Sequence, residues 1–160
     1  MLNIRILVVG KIKEKYFRNA LDEYLKRLSR FTKIEIIEVK DETTTEKASK
    51  SENLEILQTE GGRLLDKINN RDFVIALAIE GKLITSPDLA DMIREIPLDG
   101  YSTIDFVIGG SLGLSNEIKN RANAKISFGR ITLPHQLARV LLTEQIYRSF
   151  MINEGSPYHK

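Results

Sequence analysis

The chain contains no cysteine. That absence rules out a disulfide framework, a thiolate nucleophile and a cysteine-based zinc site, and it fits a reducing compartment, so a cytoplasmic protein is expected. Histidine is nearly as scarce: His135 and His159 are the only two. Neither has a partner at ligand spacing, so no metal is expected. Long apolar runs are missing as well. The opening stretch Met1–Gly10 is too short to cross a bilayer and carries no basic leader or small-residue cleavage site, so it reads as a strand, with no membrane partner. The fingerprint G-x-G-x-x-G and the Gly-Lys-Ser/Thr of a phosphate loop are also absent. A serine nucleophile is not expected either. Hydride transfer, phosphoryl transfer and metal-assisted hydrolysis thus lose their usual markers, which leaves a reaction that asks little of side chains.

What is present is an alternation of strand and helix across 160 residues, expected to form one domain, 1–160, that buries about 68–70% of its unfolded surface. Apolar, β-branched runs at Ile4–Val9, Lys33–Val39, Phe73–Ile79, Ile104–Ile108 and Ala124–Phe128 predict five strands. Helical spacing predicts helices over Glu14–Ser29, Ser51–Ile68, Ser86–Ile96, Ser115–Asn123 and His135–Asn153, with Asp41–Lys50 a loop. Ser86-Pro87 is expected to cap the third helix and Pro97 to stop it, and Pro134 to occupy the first position of the last one. The pair Gly61-Gly62 predicts a kink or close packing. The fold class is therefore α/β, a mainly parallel sheet of five or six strands covered on both faces.

Charge is unevenly placed. The net charge of +2 divides into +5 over residues 1–30, −8 over residues 31–118 and +5 over residues 119–160. If the two ends meet in space they make one basic face, which suits RNA; otherwise they are solvated charges scattered along the chain.

The last forty residues stand out. The helix His135–Asn153 carries one apolar stripe of Leu137, Val140, Leu141, Tyr147 and Met151, and a second of Leu142, Ile146 and Phe150. Gln136, Arg139 and Thr143 share a polar edge. One face suffices to dock on a sheet, so the second calls for a partner, most economically the same helix of another subunit about a two-fold axis. In a parallel sheet, ligands bind beyond the carboxyl ends of the strands. Three loops gather there: Glu80–Thr85, Gly109–Ser115 and Gly129–Pro134.

The run Asp105–Gly113, the segments Leu133–Arg139 and Glu144–Arg148, the ending Tyr158-His159-Lys160 and the opening Val9-Gly10-Lys11 together resemble the YbeA-like branch of the SPOUT methyltransferases over the whole chain. That resemblance implies a C-terminal deep trefoil knot and an obligate homodimer. It implies methyl transfer from S-adenosylmethionine to N3 of a pseudouridine in the 23S rRNA of the assembled ribosome. It further implies that Leu77, Gly109, Phe128, Gly129, Arg130, Ile131, Thr132 and Leu133 hold the cosubstrate, largely through backbone groups. For Leu77 and Phe128 the competing reading is core packing. Arg139 is expected to hold the RNA and stabilise the N3 anion, His159 to act on the target base, and Tyr158 to stack on an extruded nucleotide. The tail is expected to order over the site, in its own chain or in the partner's pocket. The alternatives are a flavodoxin-like nucleotide-binding enzyme and a non-catalytic ribosome-binding module.

Overall fold

The computed structural model describes residues 1–160. Five strands, β1 (Asn3–Val9), β2 (Lys33–Val39), β3 (Phe73–Leu83), β4 (Thr103–Ile108) and β5 (Ala124–Ser127), alternate with five helices, α1 (Lys15–Leu28), α2 (Lys50–Leu65), α3 (Ser86–Glu95), α4 (Asn116–Arg121) and α5 (His135–Asn153). The strands form one sheet in the order β2-β1-β4-β3-β5, and every pairing is parallel. It has five strands, the lower of the two expected numbers. β1 and β4 lie inside the sheet and are apolar almost throughout, as strands buried on both faces must be.

Alternation along β1 separates two cores. Ile4, Ile6 and Val8 face a layer built on Leu28 of α1, Leu89 and Ile93 of α3, and Leu142 and Ile146 of α5. Leu7 and Val9 face the other way, onto Leu64 of α2 and Ile118 of α4. Gly61 lets α2 approach α4: a Cβ there would lie 2.3 Å from Ser115 Oγ, whereas one on Gly62 would meet nothing. The glycine pair therefore serves close packing, and α2 continues through it unbroken.

Several boundaries differ from expectation for local reasons. Thr85, not Ser86, caps α3. Its hydroxyl accepts from the Asp88 amide at 3.2 Å, and the Asp88 carboxylate accepts from the Thr85 amide at 2.8 Å, a complete capping box. Pro134 precedes α5 instead of entering it, because its ψ of 136° is extended. β3 runs on past Ile79, and this extension matters most. Ile126 of β5 is the register partner of Leu77 and again of Lys82, with Leu83 opposite Ser127. Residues 78–81 therefore leave β5 and return to it within a few residues. The passage is so close that a Cβ on Gly81 would stand 2.7–2.8 Å from the backbone N, C and O of Ile126.

At the other end of the sheet a buried charge cluster ties three elements together. Asp105 is fully buried on β4, opposite Arg5 of β1 in register, and its Oδ1 lies 3.2 Å from Arg5 Nε. Asp72, just before β3, lies 3.6 Å from Arg5 Nη1. Burial, with the neighbouring Asp72 carboxylate, pushes the Asp105 carboxyl up to about 8, against the pull of Arg5.

Three substitutions test this packing and its buried charge. Gly81→Ala should lower stability by about 1–3 kcal/mol or more in urea denaturation, because backbone blocks the added methyl. Gly62→Ala, with open space around it, should raise stability by roughly 0.5–1 kcal/mol. Asp105 holds its proton in the native state over a range where the unfolded chain has lost it. Stability contributed by this group is therefore full below the ordinary carboxylate pKa and is lost as pH rises toward about 8. Asp105→Asn should flatten that decline by up to roughly 1.4 kcal/mol per pH unit between pH 5 and 7.5, read from urea midpoints.

Candidate active site

Three strand ends and the loops after them converge on one cavity of about 200 Å³. Leu77, Ala78 and Ile79 of β3 form one wall, Ile108, Gly109, Gly110 and Gly113 a second, and Phe128, Gly129, Ile131, Thr132 and Leu133 a third. His135 and Ala138 of α5 close the base. Seven of the eight residues expected to hold a cosubstrate thus meet around one space. Arg130, the eighth, is exposed and lies outside the lining.

Local chemistry accounts for these walls. A Cβ on Gly109 would lie 2.2 Å from the Gly113 carbonyl oxygen, so only glycine lets the loop fold back. Gly113, with φ 87°, donates its amide to the Gly110 carbonyl at 3.0 Å. The Gly129 amide donates to Ser127 Oγ at 3.1 Å. The next four residues, Arg130 to Leu133, donate no backbone hydrogen bond within the chain. A row of free amides beside aliphatic walls can grip a flat polar ring through its edges while excluding water from its faces.

The same loop spells Gly-x-Ser-x-Gly through Gly109, Ser111 and Gly113. Ser111 is nevertheless no nucleophile. No non-glycine residue has the positive φ of a strained elbow, Ser111 is exposed, and its hydroxyl meets only Thr44 Oγ at 3.5 Å.

Arg139 departs from expectation. It is 1% exposed, with Nη1 donating to Glu38 Oε2 at 2.7 Å and Nη2 to the Gly10 carbonyl at 3.0 Å. The polar edge of α5 turns inward, and Thr143 is buried with it. Packing of α5 over the exit of β1 spends the guanidinium on the chain itself, so it does not face RNA. The same packing sorts the two apolar stripes. Leu142 and Ile146 of the second stripe and Met151 of the first are buried, whereas Leu137, Val140 and Leu141 are only partly buried.

The tail packs back on α5 and does not lie over the cavity of its own chain. The Tyr158 hydroxyl donates to Glu144 Oε1 at 3.0 Å, and its ring meets Tyr147 edge-on with centroids 5.0 Å apart. The Arg148 guanidinium lies 4.8 Å over that ring, and its Nη1 is 3.1 Å from His159 Nδ1. Glu144 is six residues beyond Ala138, about 9 Å along a helix. Burial and the Glu144 carboxylate push the Tyr158 phenol up to about 12. At neutral pH Tyr158 therefore donates hydrogen bonds or stacks, and does not take protons. Sequence reading missed Glu144 and Arg148 as the tail's anchors, although the spacing Glu144-x-x-x-Arg148 marks an ion pair on one helix face.

No helix is long and apolar enough to cross a membrane. Residues 2–159 match the family described as "Predicted SPOUT methyltransferase". Over its full length the chain is 98% identical to ribosomal RNA large subunit methyltransferase H of Oenococcus oeni, all of which is covered. It is 61% identical over 159 residues, 99% of this chain and all of that one, to the protein of the same name from Streptococcus uberis. A probable methylase family protein from Haemophilus influenzae shares the fold, with a TM-score of 0.52 and 14% identity over 98% of this chain and 70% of its own.

Two titrations check the geometry. Tyr158→Phe should leave absorbance at 295 nm unchanged up to about pH 10.5 and remove one late-ionising phenol, because the wild-type group is held protonated. Arg139→Ala should cost about 2–3 kcal/mol in urea, less than a fully buried pair because water reaches Glu38.

Proposed function

Because the chain belongs to the SPOUT methyltransferase family, we propose that it transfers a methyl group from S-adenosylmethionine to N3 of a pseudouridine in the 23S rRNA of assembled ribosomes. The observation that carries this reading is the cavity at the three strand ends, walled by aliphatics and free amides with no metal ligands or phosphate loop. It fits an adenosyl group. Leu77, Phe128, Ile131 and Leu133 would pack on the adenine faces, amides of the loop 129–133 would meet its edge, and Gly109 would permit close backbone approach. The cosubstrate supplies a methyl on a positively charged sulfur. In the transfer the bond from that methyl to sulfur breaks and leaves the neutral thioether S-adenosylhomocysteine, a bond to N3 forms, and the N3 proton is released to solvent.

Holding donor and acceptor in line is the protein's main contribution, worth roughly 7–11 kcal/mol of barrier in favourable cases. Arg139 is a positioning residue in this scheme. It fastens the Gly10 turn to α5 beside the cavity. Tyr158 and His159 act on the RNA from the tail. They lie about two helical turns from their own cavity, so they reach the cavity of a second subunit in a homodimer. Leu137, Val140 and Leu141, only partly buried on α5, and Ile79 and Ile131, 63% and 83% exposed at the cavity rim, supply apolar surface for that partner. The return of β3 to Ile126 belongs to a deep trefoil knot through which the C-terminal segment is threaded. Apolar walls beside the glycine loop favour this reading over a flavodoxin-like site, which would place a phosphate there.

Tritium from labelled S-adenosylmethionine should enter 23S rRNA of assembled ribosomes, and Gly109→Leu should abolish the transfer. Incorporation into neither ribosomes nor free rRNA by folded protein sinks the proposal. A Tyr158→Ala/His159→Ala double variant should be inactive alone. Mixed and refolded with the Gly109→Leu chain, it should regain about a quarter to a half of wild-type activity, since one hybrid site combines an intact cavity with an intact tail.

A further inference from the structure

Beside the donor cavity lies a larger one, of about 640 Å³, which the reaction as described leaves unused. The two share His135 as a common wall. The second cavity sits between the Gly10 turn, the exit of β2 and the first turn of α5. Its lining is almost wholly polar. Lys11, Lys13 and Lys40 are exposed along it, and none makes an ion pair anywhere in the chain. Of the three carboxylates in the lining, Glu38 is already spent on Arg139 and on the Ile12 amide, whereas Glu14 and Asp41 make no ion pair.

Two acceptor atoms in this lining are buried without any hydrogen-bond partner, Glu14 Oε2 and Gln136 Oε1. A buried polar atom left unpaired is costly, and natural chains keep few of them. Glu14 precedes α1 yet makes no capping bond, so helix formation does not explain it. Gln136 is oriented by its own amide, whose Nε2 donates to the Lys11 carbonyl at 2.7 Å. α5 adds a helix start with no side-chain cap and no acidic residue in its first turn, an end that favours anions. Unpaired acceptors and unpaired cations in one concave space call for a ligand that brings N–H or O–H donors together with phosphates. A nucleotide of an RNA strand has both.

We propose that this cavity seats the extruded acceptor nucleotide. Its base and ribose offer donors to Glu14 and Gln136, and its flanking phosphates lie on Lys11, Lys13 and Lys40. The assignment rests on the methyl-transfer reading above and adds the acceptor side to it. Extrusion from a stem is a requirement for chemistry on a base, and the shared His135 wall puts the extruded base next to the donor.

The test compares wild type with a cavity variant, Lys11→Ala/Lys13→Ala/Lys40→Ala, and with a control that removes three exposed lysines outside the cavity, Lys26→Ala/Lys33→Ala/Lys47→Ala. Affinity for a fluorescein-labelled RNA stem-loop is read by anisotropy at two salt concentrations, and S-adenosylhomocysteine affinity by calorimetry. The cavity variant should bind RNA at least tenfold more weakly, with a salt slope flatter by about 2, while S-adenosylhomocysteine binds as in wild type. The control should bind RNA within twofold of wild type. Glu14→Ala should raise KM for ribosomes about three- to tenfold with the donor affinity unchanged. Uridine 5′-monophosphate should displace the RNA only at millimolar concentration, since it lacks the flanking phosphates.

RNA affinity of the cavity variant within twofold of wild type overturns the proposal, as does an equal loss in the control. If wild type binds RNA but transfers no methyl, the methyl-transfer reading fails, and the comparison of the two triple variants still decides whether RNA occupies this cavity.

Discussion

The close crossing of Gly81 over the backbone of Ile126 is the constraint on which the active end of this molecule depends. β5 is only four residues long, too short to hold itself at a sheet edge by one ladder. Its partner strand meets it at Leu77 and again at Lys82, so Ile126 is held at two points. With β5 fixed, Phe128 to Leu133 stand opposite the glycine loop after β4, and the cavity between them has walls. No side chain fits at the crossing, which makes Gly81 a geometric requirement.

Buried charge serves a different purpose at each end of the sheet. At the carboxyl end Arg139 spans more than a hundred residues of sequence to hold Glu38 and the Gly10 carbonyl. Its energetic return is modest, because desolvation offsets most of the Coulombic gain. What it provides is registry: it fixes α5 relative to the end of β1, and the second cavity, lined by Gly10 and Glu38, is bounded by that contact. At the opposite end Asp105, Asp72 and Arg5 form a cluster in which one carboxyl keeps its proton well above the ordinary range. Two buried carboxylates side by side cannot both ionise cheaply, even with Arg5 and Arg121 nearby.

The division of labour between backbone and side chain follows from the chemistry. An activated donor needs alignment and a dry, shaped cavity, the role proposed for the free amides and aliphatic walls at the three strand ends. An RNA acceptor needs counter-charges and hydrogen-bond partners, the role proposed for the lysines and orphaned acceptors near Gly10. His135, between the two cavities, belongs to the helix that Arg139 locks in place, so one positioning contact serves both substrates.

Period-two and period-3.6 patterns, read from single residues and their neighbours, were enough to establish the α/β class, the five strands, the alternation and the loops at the strand ends, because burial imposes those patterns locally. The loops that wall the first cavity were legible for the same reason, since strand ends are known once strands are known, whereas the choice of Leu77, Gly109 and Phe128 to Leu133 within them came from the family resemblance. Tertiary structure decided the rest. Whether Arg139 faces solvent or Glu38 depends on where α5 lands, and helical spacing places it on a polar edge in either case. Whether Tyr158 covers its own cavity or leans on Glu144 depends on a fold-back of the tail that no periodicity records. The second cavity joins Lys11, Lys40 and Gln136, residues as much as 125 positions apart, and only the sheet order brings such distant segments together.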